Sequence, residues 1–510
     1  MQLLLIGHGH AYQLQSLLAA FFPFAPVVTK QLDSLPDDLK QEETALITFF
    51  DPETKTARVI WQELGQQKIA ECVTKDSKKE TVNLALAKLA YPLLCASAGF
   101  TLPYGIYTGI RPVKNTRTWA KEGKSTEEIR NILAEDYLVE ADKIDLLLDT
   151  LETQTPILEQ TGKDSYSLFV FIPFCPTKCR YCSFISKAIG KHPEKEIDPY
   201  LDTLEKELAV TAKAAKEANL KLDTIYIGGG TPTVLSVPQL DRLLLAIKTH
   251  FPLTEGMEYT LEAGRPDTLT REKLLCIRSH GVNRISINPQ TFKHETLRAI
   301  GRSHTPLSVL EAFAMARECG FDNINMDFIS ALPGEDTEDL IGSLSKAVAL
   351  GAENITLHTL TVKRSADYRA EAGFDPTGDK IRRFLATEMT AAGEKFLQDA
   401  GYMPYYLYRQ KNTVGCLENT GWTKEGKTCA YNIRIMEEDQ NNLACGANAS
   451  TKLLLGGGKR IVRMFNAKFP ADYCKNEETV LQRKREIPPL LLSDPKAHLP
   501  GVPDGEEKES

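Results

Sequence analysis

From Ser165 onward, short apolar runs alternate with amphipathic stretches, and this alternation restricts the fold more than any other feature of the chain. The runs are 168–174, 224–227, 259–262, 284–288, 323–329 and 354–360. Between them, 199–218, 238–249, 271–280, 306–319 and 336–350 space their apolar residues as helices do. Strands joined in series by helices form a parallel sheet through right-handed crossovers. Six β–α units fall short of the eight that close a barrel. The spacing therefore predicts an α/β fold, an open partial (β/α)6 barrel with its chemistry at the carboxyl ends of the strands.

A chain of 510 residues exceeds one ordinary core, and roughly two to four domains are expected. Residues 1–160 read as an accessory α/β or α+β domain, with apolar runs at 45–50 and 57–61, a helix at 81–98, a turn-rich loop at 104–112 and a helix over 127–151. The barrel is assigned to 161–363. A mainly helical α+β C-terminal domain, placed over the barrel mouth, takes 364–486 and includes a helix at 377–400. Residues 487–510, rich in Pro, Asp, Glu and Lys, are expected as a disordered tail. The net charge of −7, with both signs mixed along the chain, argues against nucleic acid as the main partner. A local basic pocket would still suffice for an anionic small molecule. The apolar start at 1–6 lacks a basic n-region, and the run 17–28 is broken by Pro23 and Pro26. No signal peptide and no membrane span are expected, and the chain reads as cytoplasmic.

Of eleven cysteines, three form Cys175-x3-Cys179-x2-Cys182 directly after the first barrel run. Thiolates this close can hold three corners of a cubane iron–sulfur cluster, leaving the fourth iron open to a small molecule. Zinc usually takes four ligands, and no fourth Cys or His is near. A disulfide suits neither three adjacent thiols nor a chain without an export signal. The other cysteines, among them Cys416, Cys429 and Cys445, are scattered and read as reduced thiols.

The second run ends in Gly228-Gly229-Gly230-Thr231-Pro232, where glycines let a ligand touch the backbone and its free N–H groups. The Lys and Ser/Thr of a phosphate loop are absent. Glu262 ends the third run and needs a partner, either a ribose diol or sulfonium, or Arg265 in a structural ion pair. The fourth strand ends in Asn288-Pro289-Gln290 and the fifth in Asp327, as ligand contacts or as helix caps. His358 reads as a packed or hydrogen-bonded residue rather than a haem ligand.

Together, the cysteine run, the Gly228–Pro232 stretch, Glu262, Arg284-Ile285-Ser286, Gln290, Arg302, Asp327 and Leu332-Pro333-Gly334 resemble the radical S-adenosylmethionine (SAM) superfamily, and within it the oxygen-independent coproporphyrinogen III oxidase family. Thr108-Gly109-Ile110-Arg111-Pro112 and the run from Tyr405 to Asn412 are similar to its coproporphyrinogen dehydrogenase branch, HemZ. The resemblance implies a 4Fe–4S cluster on Cys175, Cys179 and Cys182, and a first SAM contacted by Tyr181, Gly229 and Glu262. Gly230, Thr231, Gln290, Arg302, Asp327 and Thr361 match positions around a second SAM. Two positions depart from the family pattern: Phe169 replaces a tyrosine near SAM, and Phe184 replaces a fourth cysteine. The haem-trafficking members also lack that cysteine. The activity implied is oxidative decarboxylation of two propionates of coproporphyrinogen III to vinyl groups, with a flavodoxin or ferredoxin as electron donor. A haem carrier, or radical chemistry on another substrate, is the alternative. Propionates call for cations, and Arg111 and Arg409 are the candidates, with Lys363, Arg364 and Lys411 beside them.

Overall fold

The computed structural model describes residues 1–23, 25–35, 43–162, 164–182, 186–361, 380–410 and 413–493. Phe184, Lys363, Arg364, Lys411 and the tail from 494 lie outside the described residues. The chain divides into two compact units. The first comprises Met1–Asp149, Tyr408–Glu418 and a short stretch ending at Thr387; the second holds the remaining described residues.

In the first unit, β1 (Gln2–Ile6), β2 (Val28–Leu32), β3 (Ala45–Asp51), β4 (Thr56–Glu63) and β5 (Gln66–Val73) form a sheet in the order β2-β1-β3-β4-β5. Pairing is parallel around β1 and antiparallel from β3 to β5. Helices Tyr12–Phe21 and Lys79–Ala98 bury Leu14, Leu17, Val82, Leu86 and Leu94 against Leu3, Leu46, Val59 and Trp61. Contrary to the expectation of no spanning-length segment, Lys79–Ala98 is long and apolar enough to cross a membrane. Its apolar face instead fills this core. The helix expected over 127–151 is broken: Thr126–Asn131 runs into one π turn, and Ala141–Glu159 starts afresh. At the break Leu138 turns left-handed, with φ 58°, and the Tyr137 carbonyl accepts from Ile106 N at 2.9 Å instead of continuing the helix.

The second unit begins with β6 (Ser165–Ile172), the two-residue pair β7 (Phe174–Cys175) and β8 (Lys187–Ala188), and β9 (Lys221–Gly229). It continues through β10 (Glu258–Glu262), β11 (Arg284–Ser286), β12 (Ile324–Ser330) and β13 (Asn354–Thr359). Then come β14 (Met403–Arg409), whose last two residues count with the first unit, β15 (Glu418–Thr423), whose first residue does, β16 (Asn441–Cys445), β17 (Ser450–Leu455) and β18 (Arg460–Phe465). The large sheet runs β14-β15-β13-β12-β11-β10-β9-β6-β16-β17-β18. Its six central strands are the expected parallel set in sequence order. Capping boxes at Ser236, Thr305 and Asp336 start three of the crossover helices.

The C-terminal segment differs from the expected separate domain. β15 adds antiparallel to β13 and β16 adds parallel to β6, so residues 419–493 share one sheet and one unit with the barrel. The tail expected from 487 begins as a helix, Ile487–Leu492, with Ile487 and Leu491 buried and both prolines in the first turn, where the missing N–H costs nothing.

Strand alternation sorts the side chains. Ile225, Ile227, Leu261, Ile285, Met326, Phe328, Ile355 and Leu357 are buried on one face. The register sets Tyr226, Thr260 and Arg284 side by side on the other, followed by Glu262, Ser286 and Asn325, with Asp327 beside Thr356. A polar face lining the barrel's inside, with its richest end at the strand carboxyl termini, is a chamber built for a ligand rather than a filled core.

Candidate functional site

The cysteine loop leaves the end of β6 and is fastened by its backbone. Ile189 N donates to Cys175 O at 2.9 Å, Arg180 N to Ile300 O at 3.1 Å and Cys182 N to Cys179 O at 3.1 Å. Cys179 is buried, while Cys175 and Cys182 remain partly accessible. Two polar groups aim at sulfur: Thr231 Oγ1 lies 3.6 Å from Cys175 Sγ, and Arg265 Nη1 lies 3.7 Å from Cys179 Sγ. Arg265 is 3% exposed and held by Asp267 through two bonds of 3.0 Å, and it donates to Thr177 Oγ1 at 3.1 Å. A hydroxyl and a guanidinium beside thiolates stabilise the negative charge of a cluster and tune its potential. The alternative ion pair of Arg265 with Glu262 is not formed, because Asp267 takes the guanidinium.

Glu262, at the end of β10, is held by β9. Its Oε1 accepts from the Tyr226 hydroxyl at 2.6 Å and its Oε2 from Gly229 N at 3.1 Å. Burial pushes its pKa up to about 7; the Tyr226 and Gly229 hydrogen bonds oppose the rise and the charge of Asp327 adds to it. The glycines act differently from the expected cradle of free N–H groups. Gly229 N serves Glu262, Gly230 N donates to Ile172 O at 2.8 Å and Thr231 N to Phe174 O at 2.7 Å. What the run supplies is close approach: a Cβ on Gly228 would sit 2.8 Å from the Glu262 carboxylate, and one on Gly230 would sit 2.5 Å from Phe174 O.

Arg302 gathers the strand ends. It donates to Gly264 O at 3.1 Å, to Asn288 O at 3.4 Å and to the Tyr181 hydroxyl at 2.9 Å. Burial dominates the upward push on Tyr181, with Arg302 opposing it. Asp327 lies within β12, which runs on to Ser330. Burial would raise its pKa, but His358, Asn325 and Thr356 together hold it below the usual carboxylate value. Asn325 Nδ2 donates to Asp327 Oδ1 at 2.7 Å, and His358 Nε2 lies 3.8 Å from Oδ2. Gln290 is buried with φ 69°, its N–H donating to Asp327 O at 2.9 Å. Thr361 Oγ1 donates to Thr359 O at 3.2 Å. Phe169 faces Tyr226 and Tyr431, each with ring centroids 6.1 Å away. Ser286 Oγ, Asn288 Oδ1 and Arg302 Nε are buried with no hydrogen bond among the described residues, so the chamber wall is incomplete by itself.

The two arginines expected to meet propionates belong to the first unit. The Arg409 guanidinium donates to the Tyr107 and Cys416 carbonyls and lies 4.3 Å over the Tyr104 ring. Arg111 is the half-buried N-cap residue of helix Pro112–Lys121. Burial pushes Cys429 and Cys445 up to about 12, which suits structural thiols rather than ligands.

Residues 169–347 match the family profile described as the radical SAM superfamily. The oxygen-independent coproporphyrinogen-III oxidase-like protein HemZ of Bacillus subtilis (strain 168) is 38% identical over 415 residues, covering 80% of this chain and 81% of that protein. The chain belongs to the radical SAM superfamily. The heme chaperone HemW of Escherichia coli (strain K12) is 30% identical over 322 residues, covering 63% of this chain and 78% of HemW. Among solved structures, the coproporphyrinogen III oxidase HemN from Escherichia coli, a radical SAM enzyme, superposes with a TM-score of 0.50 at 22% identity, covering 64% of this chain and 71% of that one, a likeness of fold.

Radical SAM proteins take a 4Fe–4S cluster and SAM, and the residues here fit both. Three thiols sit on one fastened loop with a cation and a hydroxyl at their sulfurs. For SAM, a carboxylate without a cationic partner among the described residues faces a wall of unpaired buried polar atoms. Sequence reasoning missed Tyr226, Thr177, Arg265 as a partner of the loop, Tyr431, and the role of Gly228 in making room for the Glu262 carboxylate. The alternation in Thr224-Ile225-Tyr226-Ile227-Gly228 carried a signal for two of them, since it puts Tyr226 and Gly228 on the face of Glu262's neighbours.

Proposed function

We propose that this chain is a radical SAM enzyme of haem biosynthesis that oxidatively decarboxylates coproporphyrinogen III propionates to vinyl groups without oxygen, giving protoporphyrinogen IX. The observation that carries the reading is the HemZ relationship across four-fifths of the chain, including both flanks of the barrel. Cys175, Cys179 and Cys182 hold the cluster. Phe169, Tyr181, Gly229 and Glu262 contact one SAM, and Gly230, Thr231, Gln290, Arg302, Asp327 and Thr361 surround a second. Reductive cleavage of SAM at the cluster supplies the radical that takes hydrogen from substrate. The chain's own residues orient and insulate. Arg265 offsets thiolate charge, Glu262 meets the cationic end of SAM, and Arg302 ties the Tyr181 loop to the ends of β10 and β11. A flavodoxin or ferredoxin delivers electrons in the cytoplasm, and Arg111 remains the proposed propionate partner.

The test is anaerobic: reconstituted protein, reductant, SAM and coproporphyrinogen III, with carbon dioxide and 5′-deoxyadenosine measured together. Stoichiometric release of both supports the reading. A haem carrier is the second reading, favoured by the relationship to HemW. Tight haem binding with no carbon dioxide release would establish that reading instead.

A further inference from the structure

Glu262 owes its orientation to the neighbouring strand. Both oxygens are engaged from β9, by the Tyr226 hydroxyl at 2.6 Å and by Gly229 N at 3.1 Å. Gly228, on the same face as Tyr226, leaves the space the carboxylate occupies. The Tyr226 ring is itself packed between aromatic neighbours. It stacks on Tyr431 with centroids 4.5 Å apart and planes at 23°, and Phe169 closes the group, its ring 16° from that of Tyr431. Tyr431 is brought there by helix Ala430–Glu437, whose N-terminus is capped by Glu258: Ala430 N donates at 2.6 Å and Tyr431 N at 2.9 Å. Glu258 opens β10 and Glu262 ends it. One strand therefore fixes the aromatic floor from below and carries the carboxylate above it.

A glutamate side chain has three rotatable bonds, and holding one rotamer for a ligand costs entropy unless neighbours hold it first. No cation does so here among the described residues; Asp327 from β12 is the charged neighbour and repels. We propose that Tyr226 is the positioning residue of the ligand chamber, its hydroxyl locking the Glu262 carboxylate toward the bound cation while its ring, clamped by Tyr431 and Phe169, forms the floor. The proposal rests on Glu262 as a SAM contact.

The experiment compares wild type, Tyr226→Phe and Glu262→Gln as cluster-reconstituted proteins, measuring SAM equilibrium binding across pH. In wild type, affinity should rise through about pH 7 as Glu262 ionises. Tyr226→Phe keeps the ring and removes the hydroxyl. It should weaken binding on the order of tenfold at neutral pH and move the midpoint up by roughly one to two pH units, with iron content unchanged. An unmoved midpoint overturns the proposal. Glu262→Gln should abolish the pH dependence. If it keeps the wild-type profile, Glu262 does not meet SAM and the underlying reading fails. The carboxyl band of Glu262, taken as the infrared difference between wild type and Glu262→Gln without ligand or cluster, then decides on Tyr226 alone. An upward shift of its titration in Tyr226→Phe supports the locking role, and no shift overturns it. The same measurement decides if Tyr226→Phe fails to hold its cluster.

Discussion

Two glutamates in the second unit, the buried Glu207 and the part-buried Glu262, sit in opposite surroundings. Glu207 is wholly buried and wholly satisfied. It accepts from Gly446 N at 2.7 Å, Asn466 Nδ2 at 2.7 Å and Tyr473 OH at 2.5 Å, and Lys484 Nζ lies 3.2 Å away. Those partners come from after β16, after β18 and from two C-terminal helices, so one carboxylate binds the end of the chain to helix Glu194–Glu217. Glu262 has two neutral donors, an acidic neighbour and a wall of unpaired polar atoms. A closed network around a charge is scaffold. An open one is destabilising until a ligand completes it, which is how a binding site differs from a core.

That contrast predicts stability changes of opposite sign. Glu207→Ala leaves Lys484 buried without its carboxylate and should cost about 3–5 kcal/mol of unfolding free energy, read from denaturant midpoints. A loss below about 1 kcal/mol would erase the distinction. Glu262→Gln should stabilise. Its folded pKa of about 7 lies above the ordinary 4.5, so its contribution is fully present below about pH 4.5 and is lost as pH rises through 7. At pH 8 the glutamine variant should exceed wild type by about 2–3 kcal/mol, and near pH 4.5 the two should coincide. A pH-independent difference would contradict this account.

Arg409 tests the contrast in the first unit. Its guanidinium is engaged by carbonyls and a ring, so Arg409→Ala should cost about 1.5–2 kcal/mol of stability while the ratio of carbon dioxide to 5′-deoxyadenosine stays unchanged. Uncoupling in a stably folded variant would return Arg409 to the substrate. The smallest effect belongs to Gly228→Ala. A Cβ 2.8 Å from the Glu262 carboxylate should displace it and weaken SAM binding roughly tenfold, with stability changed by less than about 1 kcal/mol. Equal affinity would mean that the carboxylate does not need its observed position.

Local signals carried most of the barrel. The six central strands follow the apolar runs because each run is short, bounded and buried on one face. The cysteine loop was legible because its three cysteines lie within eight residues of sequence. Pairings across the sheet were not legible. Arg265 stood as the alternative partner of its neighbour Glu262, yet Asp267 and Thr177 take it. Tyr226 looked like filler in an apolar strand, because only the offset between β9 and β10 brings its hydroxyl to Glu262. The C-terminal strands were read as part of a mainly helical separate domain, since an edge pairing such as β16 with β6 depends on residues far apart in the chain.

That pairing has a consequence for biogenesis. Ser165, at the start of β6, bonds Gln440, just before β16, across 275 residues. At typical elongation rates β6 waits roughly 14–55 s for the strand that will lie beside it. Meanwhile one margin of the nascent sheet stays unpaired, next to the three thiols of the cysteine loop. Slow, long-range closure of this kind exposes a chain to misassembly before it is complete. Cells making this protein therefore face a race between closure of the sheet by β16 and misassembly at its open margin, and chaperone supply and translation speed become determinants of how much folded protein is obtained.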